Sequence, residues 1–480
     1  MKKIIIFLIT ILLLTGTAFA QDEIYSENIS KQMRFFGYRD GDFRNLFDNN
    51  NETYFYLNMN RGENNIGFIN ESDSTITHVY IKWAAKPEQY IIQKSLDGNI
   101  YEDVLTVKSQ FLNDLVQIEI NPNEYFRIHV EQTLSERFAI DAIEVFDAGS
   151  SPLPSYVQDW DATVDKADLM IFSAHADDEW VFFGGAIPRF SVEEKKDTVV
   201  VYMAADKAYR KSEALCALWA GGLTTYPVFA PFKDYYTYQL DETMEVWGED
   251  DTIKYCVRLI RQHKPDVVLT HEFNGEYGHG NHKMTAYAVD RAVILAQDAS
   301  YDSQSADEYG VWEVKKLYIH LYEENMINVD YTAPLTAYGG LSAYDVSKTA
   351  LQQNLSQLKY SGLVYVHEDE QYCCAQWGLR YSSVGPDVIK DSFFENVVKQ
   401  TPTPEPTSTM TPSPIPTATI APTSTPQSTA QEPTMVQQTQ AESTDESESG
   451  VPIWLVIYSI AATIALIAVL VLYMVKREKE

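Results

Sequence analysis

Histidines and acidic residues that could bind a metal ion occur in two short segments of this 480-residue chain. The first segment is AHADDE at residues 174–179, and the second is GHGNH at residues 278–282. Adjacent carboxylates repel each other unless a cation or a proton lies between them. A helix-capping Asp would explain one acidic residue of the first segment, and surface-exposed histidines would explain the second. Neither explanation accounts for both segments together.

Two histidines and one carboxylate around an open coordination position form a common catalytic zinc site. Zinc in such a site lowers the pKa of a water molecule to about 7, so that hydroxide is available at neutral pH. A second carboxylate that does not bind the metal can then act as a general base. Asp177 and Asp178 are adjacent and can divide these two tasks, while His279 and His282 share one face if a helix begins there. The sequence therefore predicts metal-dependent hydrolysis.

Both segments follow apolar runs that are typical of buried strands. Residues 168–173 (DLMIFS) precede the first segment, and residues 266–270 (DVVLT) precede the loop that leads to the second. Further candidate strands and helices alternate along the chain at residues 198–203, 208–221, 251–263, 283–297 and 316–322. Such alternation predicts an α/β domain with a Rossmann-like, three-layer, mostly parallel sheet. Active sites of these sheets lie beyond the carboxyl ends of the strands, where both segments would meet.

Residues 168–398 resemble the PIG-L/LmbE-like N-acetylglucosaminyl deacetylases. The family signature is an A-H-P-D-D-E turn followed later by a helix that begins with a G-H-x-x-H pattern. Both parts are present, with Ala176 in place of the proline. Alanine can adopt the backbone conformation of proline at some entropic cost, so we expect activity to survive. Weaker matches are Arg210 with Glu213, and residues 377–380 and 384–387.

The resemblance implies a role for each matching residue. His175, Asp178 and His282 would bind Zn²⁺, or another divalent metal such as Fe²⁺. Asp177 would be the general base. His279 would stabilise charge or donate a proton near the reacting amide, and Arg210 would bind sugar hydroxyls of the substrate.

The reaction implied by the resemblance is hydrolysis of the N-acetyl group of an N-acetylglucosamine-type glycan or glycoconjugate by a metal-dependent deacetylase. Two alternatives stay open. The protein could be a metal-dependent amidase that acts on a non-sugar N-acyl compound, because the metal chemistry would be the same. It could also be a non-catalytic, glycan-binding surface adhesin, although the residues needed for catalysis are all present.

Residues 25–148 show the alternating pattern of half-buried strands and predict an all-β sandwich. The segment resembles a discoidin-like (coagulation-factor C-type) module. The residues that carry the resemblance are LFD at 46–48, YIIQKSLDG at 90–98 and IDAIEVF at 140–146. The resemblance implies a carbohydrate- or surface-binding module, and a simple spacer is an equally open alternative.

The two ends of the chain carry signals of export and membrane attachment. A basic start, a short apolar run and an A-F-A ending predict a signal peptide at residues 1–20. Residues 401–450 are rich in Thr, Pro and Ser and predict a disordered stalk. The uncharged residues 453–475 are long enough to cross about 30 Å of hydrocarbon. Basic residues in the tail at 476–480 predict that this tail is cytoplasmic, so the domain at 165–398 is expected to be extracellular.

Net charge and cysteine content narrow the possible partners. The formal net charge of −31 at pH 7 argues against nucleic acid, because phosphate binding requires a basic surface. Four cysteines in a chain of this length do not make a disulfide scaffold. The expected partners are therefore an N-acetylated glycan or glycoconjugate, and a membrane contacted through a single C-terminal helix.

Overall fold

The computed structural model describes residues 25–37, 42–57, 65–131, 137–147, 151–360 and 364–398. These residues all belong to one compact unit, Met1–Thr401. The predicted signal peptide, stalk, membrane-spanning helix and cytoplasmic tail lie outside the described residues. Within the described residues, no helix is both long and apolar enough to cross a membrane.

Antiparallel strands make up the N-terminal part of this unit. They are β1 Arg34–Gly37, β2 Phe55–Leu57, β3 Asn65–Ile69, β4 Ile76–Ala85, β5 Gln89–Ser95, β6 Glu102–Lys108, β7 Asn113–Ile120, β8 Tyr125–His129 and β9 Phe138–Asp147. One sheet has the order β1-β3-β8-β5-β6, and the other has the order β2-β9-β4-β7. Side chains from both sheets, such as Phe68 and Val79, share one buried apolar cluster. The β-rich prediction for this region is confirmed, and the discoidin-like resemblance stays a prediction.

A seven-stranded sheet forms the second part of the unit. Its strands are β10 Leu169–Ser173, β11 Thr198–Ala204, β12 Val228–Phe232, β13 Val267–Thr270, β14 Lys316–His320, β15 Met326–Asn328 and β16 Gln376–Ser382. The order is β12-β11-β10-β13-β14-β16-β15. The first five strands in this order pair in parallel, while β16 pairs antiparallel with both β14 and β15. The predicted α/β fold with a mostly parallel sheet is confirmed.

Helices cover both faces of this sheet. They are α1 Asp178–Val181, α2 Ala208–Ala220, α3 Leu240–Trp247, α4 Glu249–His263, α5 Gly280–Leu295, α6 Ser303–Tyr309, α7 Ala343–Leu351 and α8 Leu355–Leu358, with a π-helical segment at Ile187–Glu193. Successive residues of β10 point to opposite faces, as the period of a strand requires. Leu169 packs in one buried cluster with residues of α2 and α7, whereas Met170 packs in another with residues of α4 and α5. The domain therefore has three layers.

The sandwich and the α/β sheet are joined by direct contacts. The ring of Phe111 lies 4.7 Å from that of Tyr226, and the backbone N–H of Leu112 donates a hydrogen bond to the Tyr226 hydroxyl at 3.0 Å. On α2, the Ser212 hydroxyl donates to a carboxylate oxygen of Asp141 in β9 at 3.3 Å. Strand β4 also contacts α2. Helix α2, which carries Arg210, therefore contacts the sandwich as well as the seven-stranded sheet.

Gly378 allows β16 to pass close to another backbone segment. A Cβ atom at this position would lie 2.1 Å from the carbonyl oxygen of Tyr322. Because backbone must move to relieve this overlap, we expect Gly378→Ala to destabilise the protein by about 3 kcal/mol. The midpoint of thermal unfolding measures the change.

Gly310→Ala is the matched control for this substitution. A Cβ atom at Gly310 would have no atom within 4 Å, although the φ of +79° is unfavourable for alanine. We expect this variant to lose only about 1 kcal/mol. Equal losses in the two variants would contradict the packing explanation for Gly378.

Candidate metal site

The two segments predicted to carry the chemistry meet at the centre of the parallel sheet. Residues 174–179 follow β10, and residues 271–282 follow β13. Because β10 and β13 are hydrogen-bonded neighbours in parallel, their carboxyl ends lie side by side. The strands that follow β10 in the chain are added on one side of the pair, and the strand that follows β13 is added on the other side. The carboxyl ends of β10 and β13 therefore form the topological switch point, where ligands bind in such sheets.

Three side-chain atoms at this point form a nearly equilateral triangle. His175 Nδ1 lies 3.1 Å from Asp178 Oδ2 and 3.2 Å from His282 Nε2. The third side, between His282 Nε2 and Asp178 Oδ2, is 3.3 Å long. Ligand atoms at the usual zinc distances and tetrahedral angles are separated by about 3.3–3.4 Å. The spacing of the three atoms therefore fits a divalent metal held by the predicted ligands.

The surroundings keep the Asp178 side chain ionised. Burial opposes ionisation, but His282 and His175 outweigh it and hold the pKa of Asp178 below its usual value. The same Oδ2 atom also accepts a hydrogen bond from the backbone N–H of His175 at 2.8 Å. An ionised carboxylate beside two histidines is the state that metal binding requires.

Asp177 lies next to the triangle in a strained backbone conformation, with φ of 131° and ψ of −29°. Its backbone N–H donates to Glu179 Oε2 at 2.9 Å. Arg210 donates to Asp177 Oδ1 at 2.8 Å and also to the carbonyl oxygen of Ala176. Such conformations persist only where surrounding contacts hold them, and they are concentrated at functional sites. Burial raises the pKa of Asp177 to about 6, although Arg210 counteracts it.

Arg210 is thus placed differently from what a role in sugar binding alone would suggest. Its side chain is mostly buried, and its guanidinium contacts the turn that carries Asp177. Glu213, which the sequence pairs with Arg210, instead accepts hydrogen bonds from the backbone and hydroxyl of Ser356 at 2.7 and 2.6 Å. The predicted role of Arg210 in substrate binding stays a prediction, and the structure adds a contact to Asp177.

His279 caps the N-terminus of α5. Its Nδ1 accepts a hydrogen bond from the backbone N–H of Asn281 at 3.2 Å, so the proton of the neutral ring is on Nε2. Burial and the neighbouring His175 and His282 lower the pKa of His279 to about 2, which keeps the ring neutral. Its ring centroid lies 4.8 Å from that of His175. His279 therefore offers an N–H donor beside the triangle, although His175, His279 and His282 are also close enough to form a metal-binding group.

A buried carboxylate that the sequence analysis did not identify lies behind the triangle. Glu276 is fully buried, and its oxygens contact the Nδ1 atoms of His282 at 2.8 Å, His271 at 2.7 Å and His320 at 2.6 Å. His271 could itself form a metal-binding group with Asp178 and His282. However, its Nε2 accepts the backbone N–H of Ala174 at 2.8 Å, so we assign it a supporting role.

Exposed tyrosines surround the opening to these residues. The ring of Tyr236 lies 5.1 Å from that of His279, and Tyr236 is 67% exposed. The hydroxyls of Tyr236 and Tyr238 are 2.6 Å apart. Tyr277 is also exposed, and its ring lies 5.4 Å from that of Phe182, which packs on His282. Aromatic surface left in contact with water beside a polar site is typical of a binding surface.

Comparison with known proteins supports the resemblance for one part of the chain. Residues 170–293 match the family model described as "PIG-L: GlcNAc-PI de-N-acetylase". The matched range contains all six predicted site residues, namely His175, Asp177, Asp178, Arg210, His279 and His282. The predicted resemblance to the PIG-L family is confirmed for this range.

Curated relatives are similar over part of their length. The chain is 28% identical over 178 residues to a 1D-myo-inositol 2-acetamido-2-deoxy-alpha-D-glucopyranoside deacetylase of Geodermatophilus obscurus, which is 31% of this chain and 60% of that protein. It is 26% identical over 188 residues to deacetylase 1 of the same description from Catenulispora acidiphila, covering 33% of this chain and 57% of that protein. The chain thus spans less than two thirds of either relative.

Among solved structures, the chain is similar to an N,N'-diacetylchitobiose deacetylase from Pyrococcus horikoshii in complex with an inhibitor. The sequence identity is 16%, the TM-score is 0.32, and the match covers 40% of this chain and 71% of that chain.

The geometry predicts which histidine variants lose metal. His282→Asn removes one corner of the triangle, so we expect the purified protein to lose Zn²⁺ on dialysis. His279→Asn leaves the triangle intact, and asparagine is a good helix N-cap, so we expect zinc affinity within about threefold of wild type. Chelator competition and metal analysis measure both outcomes. Loss of zinc from the His279 variant as well would show that the three histidines form the metal site.

Proposed function

We propose that the protein is a zinc-dependent deacetylase that hydrolyses the N-acetyl group of an N-acetylglucosamine-type glycan or glycoconjugate at the cell surface. The observation that carries the proposal is the triangle of His175, Asp178 and His282 with Asp177 beside it. The match of residues 170–293 to a de-N-acetylase family supports the reaction. The names of the curated relatives support an acetamido sugar as substrate.

His175, Asp178 and His282 would hold Zn²⁺, which supplies a Lewis acid for the amide carbonyl and a water molecule that is easily deprotonated. Asp177 accepts the proton of this water. Because Arg210 is hydrogen-bonded to Oδ1 of Asp177, we assign the proton to Oδ2. Burial brings the pKa of Asp177 to about 6, which suits a group that must bind and release a proton near neutral pH.

His279 stabilises the charge that develops during the attack. Its Nε2–H can donate a hydrogen bond to the carbonyl oxygen of the substrate as that oxygen becomes negative. The C–N bond then breaks, and Asp177 returns its proton to the nitrogen of the leaving amine. The products are acetate and the free amino sugar, so one water is consumed and Asp177 ends in its starting state.

The exposed tyrosines support a sugar as the substrate. A tyrosine has an apolar ring face for the C–H groups of a pyranose and a hydroxyl that forms hydrogen bonds. The exposed tyrosines near the triangle lie in the loop after β12 and in the turn before α5. They are Tyr236, Tyr238 and Tyr277. A substrate with a flat face and many hydroxyls matches such a surface.

The location at the cell surface is proposed from the sequence alone. The export signal at residues 1–20 and the apolar run at residues 453–475 support it, with the catalytic domain outside the cell.

Asp177→Asn tests the general base. We expect the rate of acetate release from N-acetylglucosamine oligomers to fall by about 10²- to 10⁴-fold, because an amide cannot accept the proton of water. Zinc content should not change. Glu213→Gln is the matched control, since Glu213 is also a buried carboxylate but contacts Ser356. Full activity of the Asp177 variant would contradict the assignment.

The same assay distinguishes the substrate classes. We expect mass spectrometry to detect acetate release from the sugar oligomers, and a chelator to abolish it. Faster release from N-acetyl amino acids would favour an amidase that acts on non-sugar compounds. Zinc binding without release from any substrate would favour a surface adhesin.

Tyr236→Ala tests the tyrosine surface. Loss of one stacking contact is expected to raise KM for sugar oligomers by about 3- to 10-fold while kcat changes little, because the ring contacts substrate and does not take part in the reaction. Tyr156→Ala is the control, since Tyr156 is exposed but hydrogen-bonded to Glu144 of the sandwich. A fall in kcat with unchanged KM would contradict this role.

A further inference from the structure

We propose that Glu276 is a positioning residue of the metal site, and that its carboxyl group, held in place by His271 and His320, fixes the tautomer and orientation of His282. The proposal rests on the proposed metal site and goes beyond it, because neither Glu276 nor His320 is among the predicted ligands or catalytic residues.

Glu276 is surrounded by hydrogen-bond donors. Its Oε2 lies 2.8 Å from His282 Nδ1 and 2.7 Å from His271 Nδ1, while its Oε1 lies 2.6 Å from His320 Nδ1. The backbone N–H of Glu272 also donates to Oε1 at 3.2 Å. The side chain is fully buried. Four groups converge on its two oxygens without solvent, so the carboxyl group is held in one position.

This arrangement determines the tautomer of His282. In the neutral ring that binds metal, Nδ1 donates its proton to Glu276 and Nε2 keeps a lone pair, and Nε2 is the atom that forms one corner of the triangle. The opposite tautomer would place an N–H in the triangle and leave Nδ1 and the carboxylate with two facing acceptors. A carboxylate behind a metal-binding histidine also fixes the plane of the ring and raises its basicity.

Glu276 also connects the two segments of the site. The tautomer of His271 is defined, because its Nε2 accepts the backbone N–H of Ala174 at 2.8 Å. Its Nδ1–H therefore donates to the same Oε2 atom that His282 contacts. Ala174 directly precedes His175. One carboxylate oxygen thus contacts His282 directly and is linked through His271 to the backbone beside His175, so it couples the positions of two ligands.

His320 holds the other oxygen of the Glu276 carboxyl group in place. Its Nδ1 faces Glu276 Oε1, and its Nε2–H donates to the carbonyl oxygen of Cys373 at 3.1 Å. The ring centroid of His320 lies 5.2 Å from that of Trp377. Because His320 belongs to β14, which pairs with β13, this contact fixes Glu276 relative to the sheet.

Glu276→Gln separates the charge of the network from its shape. The amide oxygen of glutamine can accept from His271 and His282, and its NH₂ group can occupy the position of Oε1 beside His320. The size of the side chain and most of its hydrogen bonds are kept while the carboxyl group is lost, so we expect the full-length metal-free protein to melt within about 3 °C of wild type. We expect zinc affinity to fall by about 10- to 100-fold, which is typical of the loss of such a partner.

Chelator competition measures the zinc affinity of the full-length protein. The absorption bands of bound Co²⁺ provide a second readout, because they report the ligand field and would shift with the basicity and orientation of His282. Glu213→Gln is the matched control and should change neither quantity, since this buried carboxylate contacts Ser356. A folded Glu276→Gln protein with wild-type zinc affinity and wild-type Co²⁺ bands would overturn the proposal.

Glu276→Asp decides the matter if the glutamine variant does not fold. It keeps the charge but withdraws the carboxylate by one methylene, so weaker zinc binding supports the positioning role and wild-type affinity overturns it. The absence of zinc binding in the wild-type protein would overturn the metal site and this proposal together. Zinc binding without acetate release would contradict only the proposed reaction, and the comparison of zinc affinities would still test Glu276.

Discussion

Hydrogen bonds between β10 and β13 bring together the two segments of the candidate metal site. These two parallel strands occupy the centre of the sheet, and their carboxyl ends release the two segments that contain His175 and His282. More than 90 residues separate the strands in sequence. A shift of register by one residue would turn alternate side chains to the other face and separate the corners of the triangle. The geometry of the site is therefore a consequence of strand pairing.

The buried position of the site determines its electrostatics. Asp177, Asp178 and Glu179 are adjacent carboxyl groups that water hardly reaches, and each has a different partner. Asp178 is held ionised by His282 and His175, whereas burial raises the pKa of Glu179 to about 8. Asp177 lies between these extremes, with a pKa of about 6. One short turn thus contains three carboxyl groups with different proton affinities, as the proposed division between metal binding and proton transfer requires.

Much of this arrangement could be predicted from the sequence because its signals are local. The strands β10 and β13 are short apolar runs followed at once by histidines and carboxylates, and α2, α4 and α5 have clear helical periodicity. Strand β12 was not predicted, because it is a half-exposed edge strand that contains Pro231. Glu276 and His320 could not be connected, since their contact depends on β14 lying beside β13. The strained backbone of Asp177 was also unpredictable, because residues other than glycine rarely adopt such values of φ.

Helix α2 has a consequence for the modularity of this chain. One part of it contacts the turn that carries Asp177 through Arg210, and another contacts Asp141 of the sandwich through Ser212. Tyr226, shortly after the helix, is anchored by the sandwich loop at Phe111 and Leu112. The sandwich therefore supports helix α2, which in turn holds the turn that carries Asp177. A truncation that begins after the sandwich would expose the surface of α2 and Tyr226 to water. The sandwich therefore cannot be removed or replaced without redesigning this surface.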